Sequence, residues 1–310
     1  MNNEDLTRWN KFGKLKTEND LEAYFKKRNS YANSSRNFYH YTSLDSIDKI
    51  VTIDDPHFRL KSVKNQNDRI EHGSADERTF TLCFSSGIHE NLSLWLLYAD
   101  KGKKGGRLRF TGTMLKGLLN SQYFYAWLNE AEKKEYHNTH LKDSDFDLKE
   151  LTEVLYLRKS NDKNDDNDSY FLKYNTMCNY SFNGDEAKKY MSAHEYSHKD
   201  IIWYYEKETR LVIQLKEEFL KNHKPPEPLQ PIINVKLSNE IFKNMKLDLA
   251  PGISFDEVLE DKNNYGNIQK RFTAISDSQY LNRIKIDLCR DCDREQNNTS
   301  TKNTEEENGK

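Results

Sequence analysis

Strand-like and helix-like stretches follow one another in this chain without regular β–α–β alternation. Adjacent strands can therefore pair antiparallel, which argues for an α+β fold and against a doubly wound parallel sheet. The expected architecture is a mixed, largely antiparallel sheet with surrounding helices. FYHY at 38–41, HFRLKS at 57–62 and RTFTLCFS at 78–85 have strand composition, and the last alternates clearly. Between the first two, Thr42 or Ser43 is placed to cap a helix on which Leu44, Ile47, Ile50 and Val51 recur at helical spacing. ENLSLWLLYA at 90–99 is expected as a helix and GGRLRFT as a strand. Residues 112–200 are expected to be mainly helical apart from a strand at 151–157. PIINVKLS, KLDLAPGIS and YLNRIKIDL supply later strands.

The stretch WYYEKETRLVIQL, Trp203–Leu215, has aromatic and β-branched residues and no Gly or Pro. It is expected as a single strand, ended by KPPEP through the two prolines. Alternation would then put Glu206, Glu208, Arg210 and Val212 on one face. Two carboxylates and a guanidinium on an otherwise apolar strand have two explanations. That face borders a polar cleft, or the strand is a sheet edge whose charges oppose aggregation.

The domain organisation expected is an N-terminal helical extension over 1–35 and a single α+β core over 36–290. A polar insertion falls at 160–168, and a disordered tail runs over 291–310. The insertion SNDKNDDND and the tail are too polar to bury anything. The 310 residues are 35% hydrophobic and 32% charged, with a net charge of −2, so bulk electrostatics gives no sign of nucleic-acid binding. Four cysteines make no disulfide framework, and the N-terminal stretch lacks the apolar core of a secretory signal. No run approaches the roughly 18 apolar residues of a membrane span. A cytoplasmic protein without membrane contact is the simplest expectation.

Two motifs have metal-like spacing. In HEYSH, His194 and His198 lie four apart and on a helix would share a face, with Glu195 as base and Glu217 or Glu218 as a third ligand. The neighbouring Ser192, Tyr196, Ser197 and Lys199 are polar, however, whereas a buried zinc helix is apolar on its other sides. CRDC, Cys289–Cys292, is half a zinc site or a redox pair, and no second pair accompanies it. A third constellation is spread along the chain: His40 near a strand end, Ser85, Trp95 and Tyr98 around a strand-to-helix junction, then Glu206, Glu208 and Arg210. Singly these are ordinary core or ion-pair residues. Together they gather at the ends of elements, where sites form.

The succession FYHYTSLDSIDKIV, FRL, NDRIE, TLCFS, LWLLYAD and WYYEKETRL resembles the bacterial family termed domain of unknown function 2971. The resemblance spans about 36–288. It departs from the family pattern at Arg69, where a proline is usual between Asn67–Asp68 and Glu71, and at Lys103–Lys104–Gly105. The family motifs also mark Ser85. The opening is in turn similar to ADP-ribosyltransferases, including DNA-targeting toxins, with a His-x-Thr strand at the start and a Glu-x-Glu strand late in the chain. This resemblance implies an ADP-ribosyltransferase-like fold and NAD as substrate, with a protein or nucleic-acid acceptor. By the same resemblance His40, with Thr42, orients NAD and Trp95 or Tyr98 stacks on nicotinamide. Glu208, with Glu206 beside it, stabilises the oxocarbenium-like charge, while Arg210 holds a phosphate or buttresses the carboxylates. The role implied is a toxin or phage-defence effector. Two alternatives stand beside it: a module binding a nucleotide or peptide without chemistry, and a zinc hydrolase through HEYSH.

Overall fold

The computed structural model describes residues 36–63, 77–86, 90–99, 104–159, 170–174, 178–182, 195–261 and 264–272. The N-terminal helices, the Asn67–Asp68–Glu71 motif, the 160–168 insertion, His194, the YLNRIKIDL stretch, the CRDC pair and the tail lie outside the described residues.

Strand β1 (Asn37–Ser43) runs into helix α1 (Leu44–Ile50) through Ser43, whose side chain accepts the Ser46 amide. Strands β2 (His57–Ser62) and β3 (Thr79–Ser85) follow, then α2 (Leu92–Tyr98), capped by Asn91. β4 (Gly105–Thr111) leads through its Thr111 cap into α3 (Gly112–Leu119). Next come β5 (Tyr123–Asn129), β6 (Lys134–His140), β7 (Phe146–Glu153) and β8 (Leu155–Lys159). β9 (Tyr170–Tyr174), β10 (Cys178–Phe182) and the short β11 (His198–Asp200) precede β12 (Glu208–Leu215). The chain continues with α4 (Glu217–Asn222), β13 (Gln230–Lys236), α5 (Asn239–Asn244), β14 (Lys246–Leu249), α6 (Phe255–Glu260) and α7 (Gly266–Arg271).

The fold is α+β, as the absence of β–α–β alternation implies. Ten of the described strands form one sheet in the order β14-β4-β1-β3-β2-β13-β5-β6, with β12 against β3 and β7 against β12. Every pairing in it is antiparallel. A smaller sheet, β10-β9-β8-β11, contains the one parallel pairing among the described strands, β11 with β8.

Because β12 covers one edge of β3 along its whole length, β1 and β2 must share the other edge. β1 takes its end at Ser85 and β2 takes Thr81 and Phe80, so the sheet is split beside Cys83. The face of the split that carries Phe38, Phe58, Phe84 and Phe110 has one buried ring from each of β1 to β4. The rings of Phe58, Phe84 and Phe110 meet edge-on or tilted at centroid distances of 5.5–6.1 Å.

Three expectations need correction. The described residues of 112–200 are largely strand, not helix. YFYAWLN buries alternate aromatic faces in β5, while its hairpin partner β6 is a polar outer strand whose exposed residues give no period. The 203–215 stretch is a strand only from Glu208. Ile201–Glu206 is a 3-10 turn, and Lys207 takes a left-handed φ of 45° at the junction. The cause is register: Glu208 faces Ser85, the last residue of β3, and the β3–β12 ladder stops there. Ser86 closes that end, its amide and hydroxyl both donating to the Lys207 carbonyl at 2.9 and 2.8 Å. The strand also ends at Leu215 with α4 following, before KPPEP is reached. Lying between β3 and β7 with nearly every residue buried, β12 is not an edge, and this overturns the anti-aggregation explanation of its charges.

The close approach of α2 to β4 depends on Gly105. A Cβ there would stand 2.2 Å from the Ala99 side chain and 2.4 Å from its carbonyl oxygen. Gly105→Ala is expected to cost about 1–3 kcal/mol in urea unfolding. Gly266→Ala, with nothing within 4 Å, is expected to change stability by less than about 0.5 kcal/mol.

Candidate active site at the split

Directly opposed residues of an antiparallel pair share a sheet face. Ser85 faces Glu208, and Cys83 faces Arg210, so β3 and β12 present Cys83, Ser85, Glu208 and Arg210 on one side. Tyr39, opposite Ser85, joins them, as do Arg59 and Lys61 by the same alternation along β2. The face borders a cleft of about 830 Å³, a size that suits a small-molecule or cofactor site.

Arg210 is fully buried. Its Nε donates to Glu208 Oε1 at 2.8 Å, a second nitrogen to Oε2 at 3.2 Å, and a third to the Tyr196 carbonyl at 2.8 Å. Lys199 Nζ lies 2.9 Å from Glu208 Oε2 and 2.9 Å from Glu206 Oε2. The phenol of Tyr98 donates to the other oxygen of Glu206 at 2.5 Å. The Tyr156 hydroxyl accepts the Glu208 amide at 2.8 Å. The carboxylate pair thus joins the turn, β12, β11 and α2.

Identical side chains are driven apart by these neighbours. Burial by itself raises the Glu208 carboxyl. The cations of Arg210 and Lys199, the Arg210 hydrogen bonds and a hydrogen bond from the Cys83 thiol more than offset it, bringing the group down to about 2. Burial also raises Glu206. There Lys199 opposes the effect, the Glu208 charge adds to it, and the carboxyl stays above its ordinary value. Burial lowers Lys199, but Glu208 and the other anions around it hold its ammonium above the normal lysine range. Burial and then Glu206 push the Tyr98 phenol up, and burial and then Glu208 do the same to the Cys83 thiol. The surroundings thus favour the anion at Glu208 and the protonated form at Glu206, the kind of separation that acid–base chemistry uses.

His40 lies on the opposite face of β1, among Phe58 and Phe84 at centroid distances of 5.2 and 5.9 Å. It reaches the split through its ring: Nδ1 is 2.9 Å from the Cys83 carbonyl oxygen. A carbonyl only accepts, so Nδ1 carries the proton, and burial, partly opposed by that bond, lowers the imidazole so that the neutral form presents Nε2 as an acceptor. His40, Thr42 and Ser85 all line the cleft, His40 and Thr42 from the far face of the split and Ser85 from the carboxylate face.

Two of the expected roles have no room. Trp95 is 0% exposed, edge-on to Tyr41 at 4.8 Å and 5.4 Å from the Arg107 guanidinium, so its ring is core and no ligand can stack on it. Arg210, 0% exposed and not part of the cleft lining, is held by both Glu208 oxygens and the Tyr196 carbonyl; it buttresses the carboxylates and does not reach a phosphate in the cleft. Tyr98, 41% exposed and lining the cleft, keeps an open face. The helix expected for HEYSH is absent: Glu195–Ser197 is a 3-10 turn and His198 begins β11. Among the described residues no group of three or more His, Cys, Asp or Glu is placed to hold a metal ion. No described helix is long and apolar enough to cross a membrane.

Sequence reasoning missed Lys199, Tyr156, Cys83 and Trp203. Cys83 was reachable, since it lies two residues before Ser85 on an alternating strand. Trp203, half-buried in the cleft wall with the Lys199 ammonium 5.7 Å from its ring centre, was hidden by the assumption of one continuous strand. Lys199 comes from a polar segment with no periodic signal, and Tyr156 lies in the strand expected at 151–157, where nothing local marks its bond to Glu208. Compared with models of protein families, with curated proteins and with solved structures, the chain matches none.

The two carboxyls bear opposite pH signatures. Glu208, depressed to about 2, contributes stability that is fully present above the ordinary carboxylate range and lost as pH falls towards 2. Glu206, raised, contributes stability that is present below that range and lost as pH rises through its own elevated value. Thermal unfolding from pH 2 to 8 is expected to show Glu208→Gln most destabilised at neutral pH and closest to the unsubstituted protein near pH 2. Glu206→Gln is expected to gain relative stability as pH rises.

Proposed function

We propose that the cleft binds NAD and that the protein breaks its nicotinamide–ribose bond, transferring ADP-ribose to an acceptor or to water. The observation that carries this reading is the Glu206–Glu208 pair, bridged by Lys199 on the wall of a cleft large enough for a dinucleotide, with surroundings that raise one carboxyl and lower the other. The motif resemblance implies the same chemistry and an ADP-ribosyltransferase-like fold. In the reaction the C–N electron pair leaves with neutral nicotinamide and positive charge develops on the ribose. Glu208, anionic throughout, stabilises that charge. The acceptor oxygen or nitrogen bonds to the ribose carbon and gives its proton to Glu206. Tyr98 and Trp203 offer aromatic faces to the nicotinamide or adenine ring. Arg59 and Lys61, on the carboxylate face, are the cations nearest in sequence and register to a pyrophosphate path, and each already pairs with a carboxylate, Glu135 and Glu130, that the ligand would have to displace. His40 meets the substrate through the split as a hydrogen-bond acceptor.

A second reading is favoured by one feature. Arg210, Lys199 and Cys83 together occupy Glu208 as fully as a purely structural ion pair, which fits a module that binds a nucleotide without cleaving it. Nicotinamide release by purified protein, with and without DNA, RNA and cell extract, separates the two. Turnover is expected, with Glu206→Gln reducing it about 10²- to 10⁴-fold while NAD still raises the melting temperature. A melting shift without release in any condition would establish the binding module, and neither effect would remove NAD from the site.

A further inference from the structure

Lys199 makes no sense as a surface lysine. It is buried, and it reaches the site on β11, a three-residue strand held parallel to β8 through His198–Leu155, Lys199–Tyr156 and Asp200–Leu157. Its ammonium touches both carboxylates at the same 2.9 Å. Those carboxylates are anchored unequally. Glu208 belongs to β12 and is fixed by Arg210 whether or not Lys199 is present. Glu206 sits on the 3-10 turn beyond the strand, past a left-handed residue. Its side chain is held at both oxygens, by Tyr98 on one and Lys199 on the other.

We infer that Lys199 is a positioning residue, a clamp that ties the Glu206 carboxyl to the Glu208–Arg210 ion pair and sets its place and proton affinity at the cleft wall. The inference rests on the reading that this pair meets the substrate. A tether of this kind explains why a lysine is used and not a second arginine. An ammonium is a compact charge with three donors in a tetrahedral array, able to bond two separate carboxylates, whereas a guanidinium fork favours one carboxylate at a time, as Arg210 does with Glu208. It also places a cation beside Trp203, 5.7 Å from the ring centre, so the clamp fixes a second part of the wall. Among the described residues, the titratable and charged groups that interact with Glu206 are Lys199 from β11, Glu208 from β12, Tyr98 from α2, Tyr156 from β8 and Tyr205 beside it on the turn, while Arg210 and Cys83 bear on it through Glu208. Among the described residues, Lys199 and Tyr98 hydrogen-bond its carboxyl.

The decisive experiment follows the Glu206 carboxyl by carbon-13 NMR over pH, assigned through Glu206→Gln, in the unsubstituted protein and in Lys199→Met and Lys199→Arg, with melting temperature as the folding control. In Lys199→Met the Glu206 titration is expected to move up by about one pH unit or more, and in Lys199→Arg by less. Should Lys199→Met not fold, Lys199→Gln, which keeps a donor without the charge, carries the same readout. A Glu206 titration unmoved in a folded neutral variant would overturn the inference whatever the protein does with NAD. In turnover, Lys199→Met is expected to lower kcat about 100-fold with KM within about threefold, its pH profile shifted up and partly restored in Lys199→Arg. Absence of turnover in the unsubstituted protein would defeat the NAD reading alone, leaving the NMR arm to decide the clamp. Turnover in the unsubstituted protein with an unshifted profile in the variants would defeat the clamp alone.

Discussion

A guanidinium as deeply buried as that of Arg210 must be met by an anion and by carbonyl oxygens, or the strand that carries it cannot stand in the middle of a sheet. β12 is that strand, flanked by β3 and β7. Glu208, two residues earlier on the same face, supplies the anion, and the Tyr196 carbonyl supplies the remaining acceptor. The requirement propagates outward. Glu208 then needs its own further partners, which draws Lys199 and Tyr156 in from the smaller sheet, and Lys199 in turn draws in Glu206. Removing one member of such a chain leaves a buried charge uncompensated, a cost on the order of 3–5 kcal/mol. The ion network therefore holds the smaller sheet against the larger one at the place where the cleft opens.

The split answers a different need. Where β1 and β2 part along one edge of β3, the backbone of Cys83 loses the strand partners that its neighbours keep. An unpaired buried carbonyl is costly, and the His40 ring takes the place of a strand amide. The histidine is thus structural and chemical at once: its bond to Cys83 fixes the tautomer, and the fixed tautomer leaves a single acceptor nitrogen facing away from that bond. On the face that carries His40, the Phe rings of β2, β3 and β4 pack on one another across the gap between the strands.

Much of the first half of the fold was legible because its elements obey simple periods. HFRLKS alternates, LDSIDKIV repeats at helical spacing after Ser43, and both appear with those bounds within two residues. The hairpin of β5 and β6 was not legible. Tyr, Phe and Trp suit helix or strand cores alike, and KEYHNTH is an outer strand without an apolar face. At the site the chemistry-bearing types at Glu206, Glu208, Arg210, His40 and Tyr98 were visible, but roles that depend on burial were not. Trp95 and Tyr98 lie three residues apart on one short helix, yet one is sealed in the core and the other forms the cleft wall. Lys199 sits in a polar run with no pattern, and its importance arises from a parallel pairing between segments some forty positions apart, which no local signal encodes.

The Glu-x-Glu spacing illustrates how the same two letters acquire different chemistry. On a continuous strand Glu206 and Glu208 would point the same way, meet the same neighbours and repel, and nothing would separate their proton affinities. The end of β3 at Ser85 prevents this by terminating the pairing at Glu208 and turning the chain through Lys207. Glu208 remains inside the ladder, beside a cation that cannot leave. Glu206 is lifted onto a turn, beside a phenol and an ammonium that come from other elements. Asymmetry between the two carboxyls is thus a consequence of where one neighbouring strand stops. Lengthening β3 would restore the strand's alternation and remove the asymmetry, although neither glutamate had changed.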